Sequence, residues 1–187
     1  RAWGASNRNR GCICRRGDGS LRRSLLLVDS KFRNMIKLSP ARLDILTATT
    51  RGDTLPRSEV LMEGKPTGKF VEGLVLEAAF RTKAGQLLVL TTYDVPFEEL
   101  LKIQLLSEKL ELLDSALLGA AYNTGSLKYL GVEQPDTVRF RFIGDADWTI
   151  EVFAERLFRL PWLGDPKYVS RPLGFSKLFG VQAHSKL

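Results

Sequence analysis

A chain of 187 residues, 44% hydrophobic and 26% charged, is long enough to bury one sizeable core, too short for two comfortable domains, and far from the composition that keeps chains disordered. The net charge of +7 invites a nucleic-acid reading, but all of the excess lies in residues 1–34, which hold nine Arg or Lys against two Asp. The remainder carries 19 basic and 19 acidic residues, so the body presents no basic surplus to phosphates, and no run approaches the roughly 18 apolar residues that a spanning helix needs.

Residues 1–34 are rich in Arg, Gly, Ser and Asn, lack apolar periodicity and contain both cysteines, Cys12 and Cys14. They read as a basic, disordered arm, a targeting leader or a non-native extension. Nucleic acid is expected as a partner only through this arm. A cytoplasmic location is expected, with an organellar or exported one if the arm is a leader. A single globular domain over 36–187 follows.

Within it, Leu43, Ile45, Thr47 and Thr49 alternate as a strand does, with a short helix opening at Ser39-Pro40 as the rival. MEGKPTGKF, with two glycines and a proline, reads as a loop. KFVEGLVLEAAFRT and LLVLTTYD flank a turn containing Gly85 and form a hairpin whose long apolar runs suit strands buried on both faces; Gly73 marks a bulge or a close backbone approach.

Residues 100–119 admit two readings. As a helix, Ile103, Leu106, Leu110, Leu113 and Leu117 share a stripe, but Leu101, Leu105 and Leu112 fall opposite it. As a hairpin, Leu101, Ile103 and Leu105 alternate with polar residues before a turn at 107–109, and this reading is preferred. TVRFRFIG puts Val138, Phe140 and Phe142 on one face and Arg139 and Arg141 on the other; after the turn GDAD, WTIEVF returns with Trp148 and Ile150 for the core and Glu151 to neutralise an arginine. From about residue 160, three prolines and three glycines predict an irregular wrap over the sheet. The expected fold is therefore mainly β, an antiparallel meander of hairpins forming a barrel or sandwich, with an α+β arrangement carrying one helix near 97–118 as the alternative.

Chemistry-bearing residues are sparse. His184 is the sole histidine, which leaves no His-based triad or multi-His metal site within this sequence. Cys12 and Cys14 cannot fill a tetrahedral zinc site by themselves, so neither metal nor cofactor is expected. Arg-Gly-Asp occurs at 16–18 and 51–53 and reads as a turn tripeptide. Tyr93, Asp94, Glu98 and Glu99 are the candidate acid/base cluster, though the end of a strand at Pro96 explains them equally well. Tyr122, Asn123 and Thr124, between two glycines, are the candidate pocket-mouth residues.

Two functions follow as expectations. The preferred one is a non-catalytic module binding a small apolar or amphipathic ligand, or a protein partner. The alternative is a carboxylate-dependent enzyme built on the 93–99 cluster, so enzymatic activity stays open, leaning to none.

Overall fold

The computed structural model describes residues 34–47, 55–94, 100–119, 125–133, 135–144, 146–160 and 164–184, which lie in the compact unit Phe32–Leu187. Both Arg-Gly-Asp tripeptides and both cysteines fall outside these residues. The elements are all strands: β1 (Ile36–Lys37), β2 (Leu43–Thr47), β3 (Arg57–Met62), β4 (Lys65–Glu72), β5 (Val75–Arg81), β6 (Leu87–Thr92), β7 (Leu101–Leu106), β8 (Leu112–Leu118), β9 (Lys128–Glu133), β10 (Thr137–Arg141), β11 (Asp147–Phe158), β12 (Val169–Ser170) and β13 (Ser176–His184). Among the described residues they form a six-stranded sheet β1-β5-β6-β7-β8-β12, a four-stranded sheet β13-β11-β10-β9 and a three-stranded sheet β2-β3-β4. Every pairing is antiparallel. The arrangement is sandwich-like and mainly β as expected, and no sheet closes into a barrel.

Two cores explain why apolar runs replace alternation in the middle of the chain. Phe80, Leu88, Leu90, Leu101, Ile103 and Leu105 pack with Phe140, Ile150 and Phe179 of the four-stranded sheet. Ala79, Leu87, Val89 and Leu106 pack with Leu43, Val60 and Val71 of the three-stranded sheet. The six-stranded sheet is the middle layer, so β6 is buried at every position and neither of its faces meets water.

The same layering decides residues 100–119 in favour of the hairpin. Leu101 and Leu105, which a helix would turn away from its stripe, are fully buried on β7. Ser107 Oγ accepts the backbone N–H of Lys109 at 3.2 Å and of Glu111 at 3.1 Å and closes the turn. The α+β alternative with a helix near 97–118 is thereby overturned over the described part of that stretch.

Three local expectations are corrected. MEGKPTGKF is a tight turn at Glu63 and Gly64 followed by β4; Pro66 is tolerated because β4 is an edge strand, and Gly68, at φ 68°, accompanies the register shift between Glu59 and Leu61. The expected irregular wrap is found at 164–175, where β12 is the sole strand, but the chain then forms the nine-residue β13 paired along β11. Its Phe179 and Val181 reach the core at period two, a pattern obscured by Gly180, over which the Phe153 ring lies. Glu151 pairs with neither Arg139 nor Arg141, because the register sets it opposite Thr137; Asp147 and Glu133 take those arginines instead.

Candidate ligand-binding site

At the turn end of the β10–β11 hairpin the chain passes through Ile143 and Gly144, the latter at φ 63°, a left-handed conformation suited to glycine. β11 then begins, with Trp148 paired to Ala183 of β13. The indole N–H of Trp148 donates to Ile143 O at 3.3 Å inside the protein, which satisfies its polar atom and fixes the ring. Pro166, Lys167 and Tyr168 come from the segment before β12. That segment is held by Val169 N–H donating to Pro166 O at 3.1 Å and by Gly119 N–H donating to Tyr168 O at 3.0 Å.

These elements enclose a recess of about 310 Å³ lined by Ile143, Gly144, Ala146, Trp148, Pro166, Lys167, Tyr168 and Ala183. Its lining is mostly apolar. Among the described lining residues the one cation is Lys167, whose ammonium lies 5.0 Å from the centroid of the Tyr168 ring, within cation–π range. A volume near the lower end of ligand pockets, an apolar floor and one positive group at the rim suit a small amphipathic molecule with an anionic head.

A second recess, about 440 Å³, lies on the outer face of the four-stranded sheet against Leu130, Gly131, Glu133, Arg139, Arg141 and Asp147. Its charges are already paired. Arg139 reaches Asp147 at 2.8 Å and Glu133 at 3.3 Å, and Arg141 reaches Asp147 at 2.5 Å. Hydrogen bonds from both guanidiniums hold the Asp147 carboxyl below its ordinary 3.8 and, in return, raise Arg139. Two cations against two anions leave no net field for a charged ligand.

The acid/base candidates are placed as follows. Tyr93 is nearly buried, and its hydroxyl faces Glu72 Oε2 at 3.5 Å. Glu72 is also held by Lys102 Nζ at 2.5 Å. Asp94 is exposed, with its backbone in the left-handed region at φ 54°. Glu98 and Glu99 lie outside the described residues, as do Tyr122, Asn123 and Thr124. His184, on β13, lies with its Nε2 3.0 Å from Thr149 Oγ1.

Around Glu72 the bonding is that of a junction between layers. Gln104, buried in the middle sheet, donates to Glu72 O and accepts from Glu72 N–H, both at 2.9 Å, and Thr91 Oγ donates to the same carbonyl at 2.6 Å. Burial, then the neighbouring Glu72 carboxylate, push the Tyr93 phenol from 10.0 up to about 12. A phenol with that pKa stays protonated at neutral pH and is a poor general base. In an ultraviolet titration Tyr93 is expected to ionise near 12; Tyr93→Phe removes that phase, and Glu72→Gln moves it downward. A raised value means the folded state keeps a proton that the unfolded state loses, so this stabilisation is complete below 10 and is lost as pH rises through about 12.

Among the described residues no cluster of three or more His, Cys, Asp or Glu is placed to hold a metal ion, and no helix is long and apolar enough to cross a membrane. No protein family matches the chain, and comparison with curated proteins and with solved structures finds no similar protein.

Sequence reasoning missed most of the recess. Trp148 and Ile143 stand in a legible hairpin, but Tyr168 and Ala183 reach it from segments with no local signature of a site. The proline in LGDPKY, ahead of Lys167 and Tyr168, is the one hint that a rigid turn is presenting side chains there.

Proposed function

We propose that the protein is a non-catalytic binding module that takes a small amphipathic ligand into the recess beside Trp148. The observation that carries the reading is the composition of that recess: a fixed indole and aliphatic walls, with Lys167 as the one cation among the described residues that line it. The apolar body of a ligand would lie on Trp148, Ile143 and Ala183, and its anionic head would meet Lys167. For a ligand of about fourteen non-hydrogen atoms at roughly 0.3–0.4 kcal/mol each, the dissociation constant falls between about 0.1 and 1 mM.

Anilinonaphthalene sulfonate, an apolar ring system with one sulfonate, is a suitable probe. Its fluorescence is expected to rise on titration with the full chain. Ala183→Phe, which fills the recess from an exposed strand position, is expected to weaken binding by at least about tenfold, a difference of about 1.4 kcal/mol, with the melting temperature unchanged. Equal affinity in the variant would sink the proposal.

A further inference from the structure

Three of the residues that line the recess, Pro166, Lys167 and Tyr168, belong to no strand. Their segment follows a path that the chain does not favour by itself: Gly164 lies at φ 99° and Tyr168 at φ 77°, and a bulky aromatic residue keeps a left-handed backbone only where its surroundings impose it. At its far end the segment is tied to β8, through Gly119 N–H donating to Tyr168 O and through the pairing of Val169 with Leu118. At its start the attachment is a side chain. Asp165 accepts from Arg159 on one carboxylate oxygen and from Arg171 on the other, both at 3.2 Å, which fixes the carboxylate in position and in rotation.

The two arginines are anchored in turn on the sheets. The Arg171 side chain is 1% exposed, donates to both oxygens of Asp114 on β8 at 3.3 Å and to Phe179 O on β13 at 2.9 Å. Asp114 itself accepts the Leu178 N–H at 2.7 Å. The Arg159 side chain, 6% exposed, donates to Pro172 O at 2.7 Å, and its buried Nε has no hydrogen-bond partner among the described residues. The contacts thus run from β8 and β13 through two buried guanidiniums to Asp165, and from there across one peptide bond to Pro166 in the recess wall. Burial shields these ion pairs from salt and water, so they hold a geometry that exposed pairs would not. A site whose wall is in place for only part of the time loses affinity in proportion to that fraction.

We propose that Asp165 is a positioning residue for the ligand recess, and that Arg159 and Arg171 act through it to hold Pro166, Lys167 and Tyr168 in place beside Trp148. The proposal rests on the recess being the binding site. It is tested by titrating the full chain with dodecanoate and following the Trp148 indole N–H, so that dodecanoate on the exposed rings of Phe158 and Phe175 is not counted. Asp165→Asn keeps the shape of the side chain and removes its charge; it is expected to bind at least about fivefold more weakly, as a wall in place about one fifth of the time would. In the ligand-free variant the ¹H–¹⁵N nuclear Overhauser effect of the Lys167 and Tyr168 amides is expected to fall, with the Trp148 indole signal unmoved. Asp165→Glu keeps a carboxylate for the two arginines and serves if the Asn variant does not fold; its carboxylate is displaced by one methylene, and it is expected to recover part of the affinity while staying about twofold or more weaker than wild type. Gly73→Ala, destabilised away from the recess, is expected to bind as the wild type does. Wild-type affinity in both Asp165 variants, or an equal loss in Gly73→Ala, would overturn the proposal and leave the recess as the site. No saturable shift of the Trp148 indole in the wild type would remove the recess as the site and the proposal with it.

Discussion

Replacing Arg171 by Met is expected to destabilise the protein by about 3–5 kcal/mol, read as a lower urea midpoint. The guanidinium is almost wholly enclosed, lies 4.1 Å over the Phe179 ring, and bonds two carboxylates and a carbonyl. Met fills most of the volume, so the loss is that of the charge and its hydrogen bonds. Asp114 and Asp165 are left in a largely buried site short of a partner, and removing one member of a buried pair costs more than the pair itself is worth. Asp114→Asn in the same chain is expected to recover part of the loss, because the two changes share one network. Arg139 is bonded to two carboxylates as well, but its side chain is 44% exposed and water can take over, so Arg139→Met is expected to have a much smaller effect. Equal effects at the two positions would contradict this account of the C-terminal segment.

Gly73→Ala is expected to cost about 2–5 kcal/mol, measured in the same way. Gly73 links the three-stranded to the six-stranded sheet at φ 114°, where an L side chain is strained. A Cβ there would also overlap the Thr91 side chain, and overpacking adds its own cost. Thr91 cannot yield freely, since its hydroxyl donates to Glu72 O while Ser58 Oγ donates to Gly73 O at 2.7 Å. A control at Gly64, also at positive φ but with open space around the added methyl, isolates the conformational term and should cost less. If both variants lost the same stability, the close approach would not be what requires glycine at 73.

What the sequence revealed follows the depth of each strand. β10 and the first half of β11 have one face on a core and one in water, so alternation located Phe140, Trp148 and Ile150 correctly. β6 and β7 are covered on both sides, which weakens alternation and left a helix as the rival to the preferred hairpin over residues 100–119. β4 and β13 were hidden by glycine and proline, residues that an edge strand tolerates and that a propensity reading treats as breakers. The site was less legible still. Trp148, Lys167, Tyr168 and Ala183 meet only because β13 returns along β11 in one particular register. The ion network at Arg171 likewise joins 114, 159, 165 and 171 through tertiary contacts, though an arginine set in the apolar run LFRLPWL could have signalled a buried charge.

The recess is the centre of this account, and an amide and indole ¹H–¹⁵N spectrum followed during titration with dodecanoate tests it most directly. The predicted result is saturable shifts in the Trp148 indole N–H and in the backbone amides of Gly144, Tyr168 and Ala183, and the loss of those shifts in Ala183→Phe. Shifts confined to Phe158, Leu173 and Phe175, with Trp148 unmoved, would contradict it.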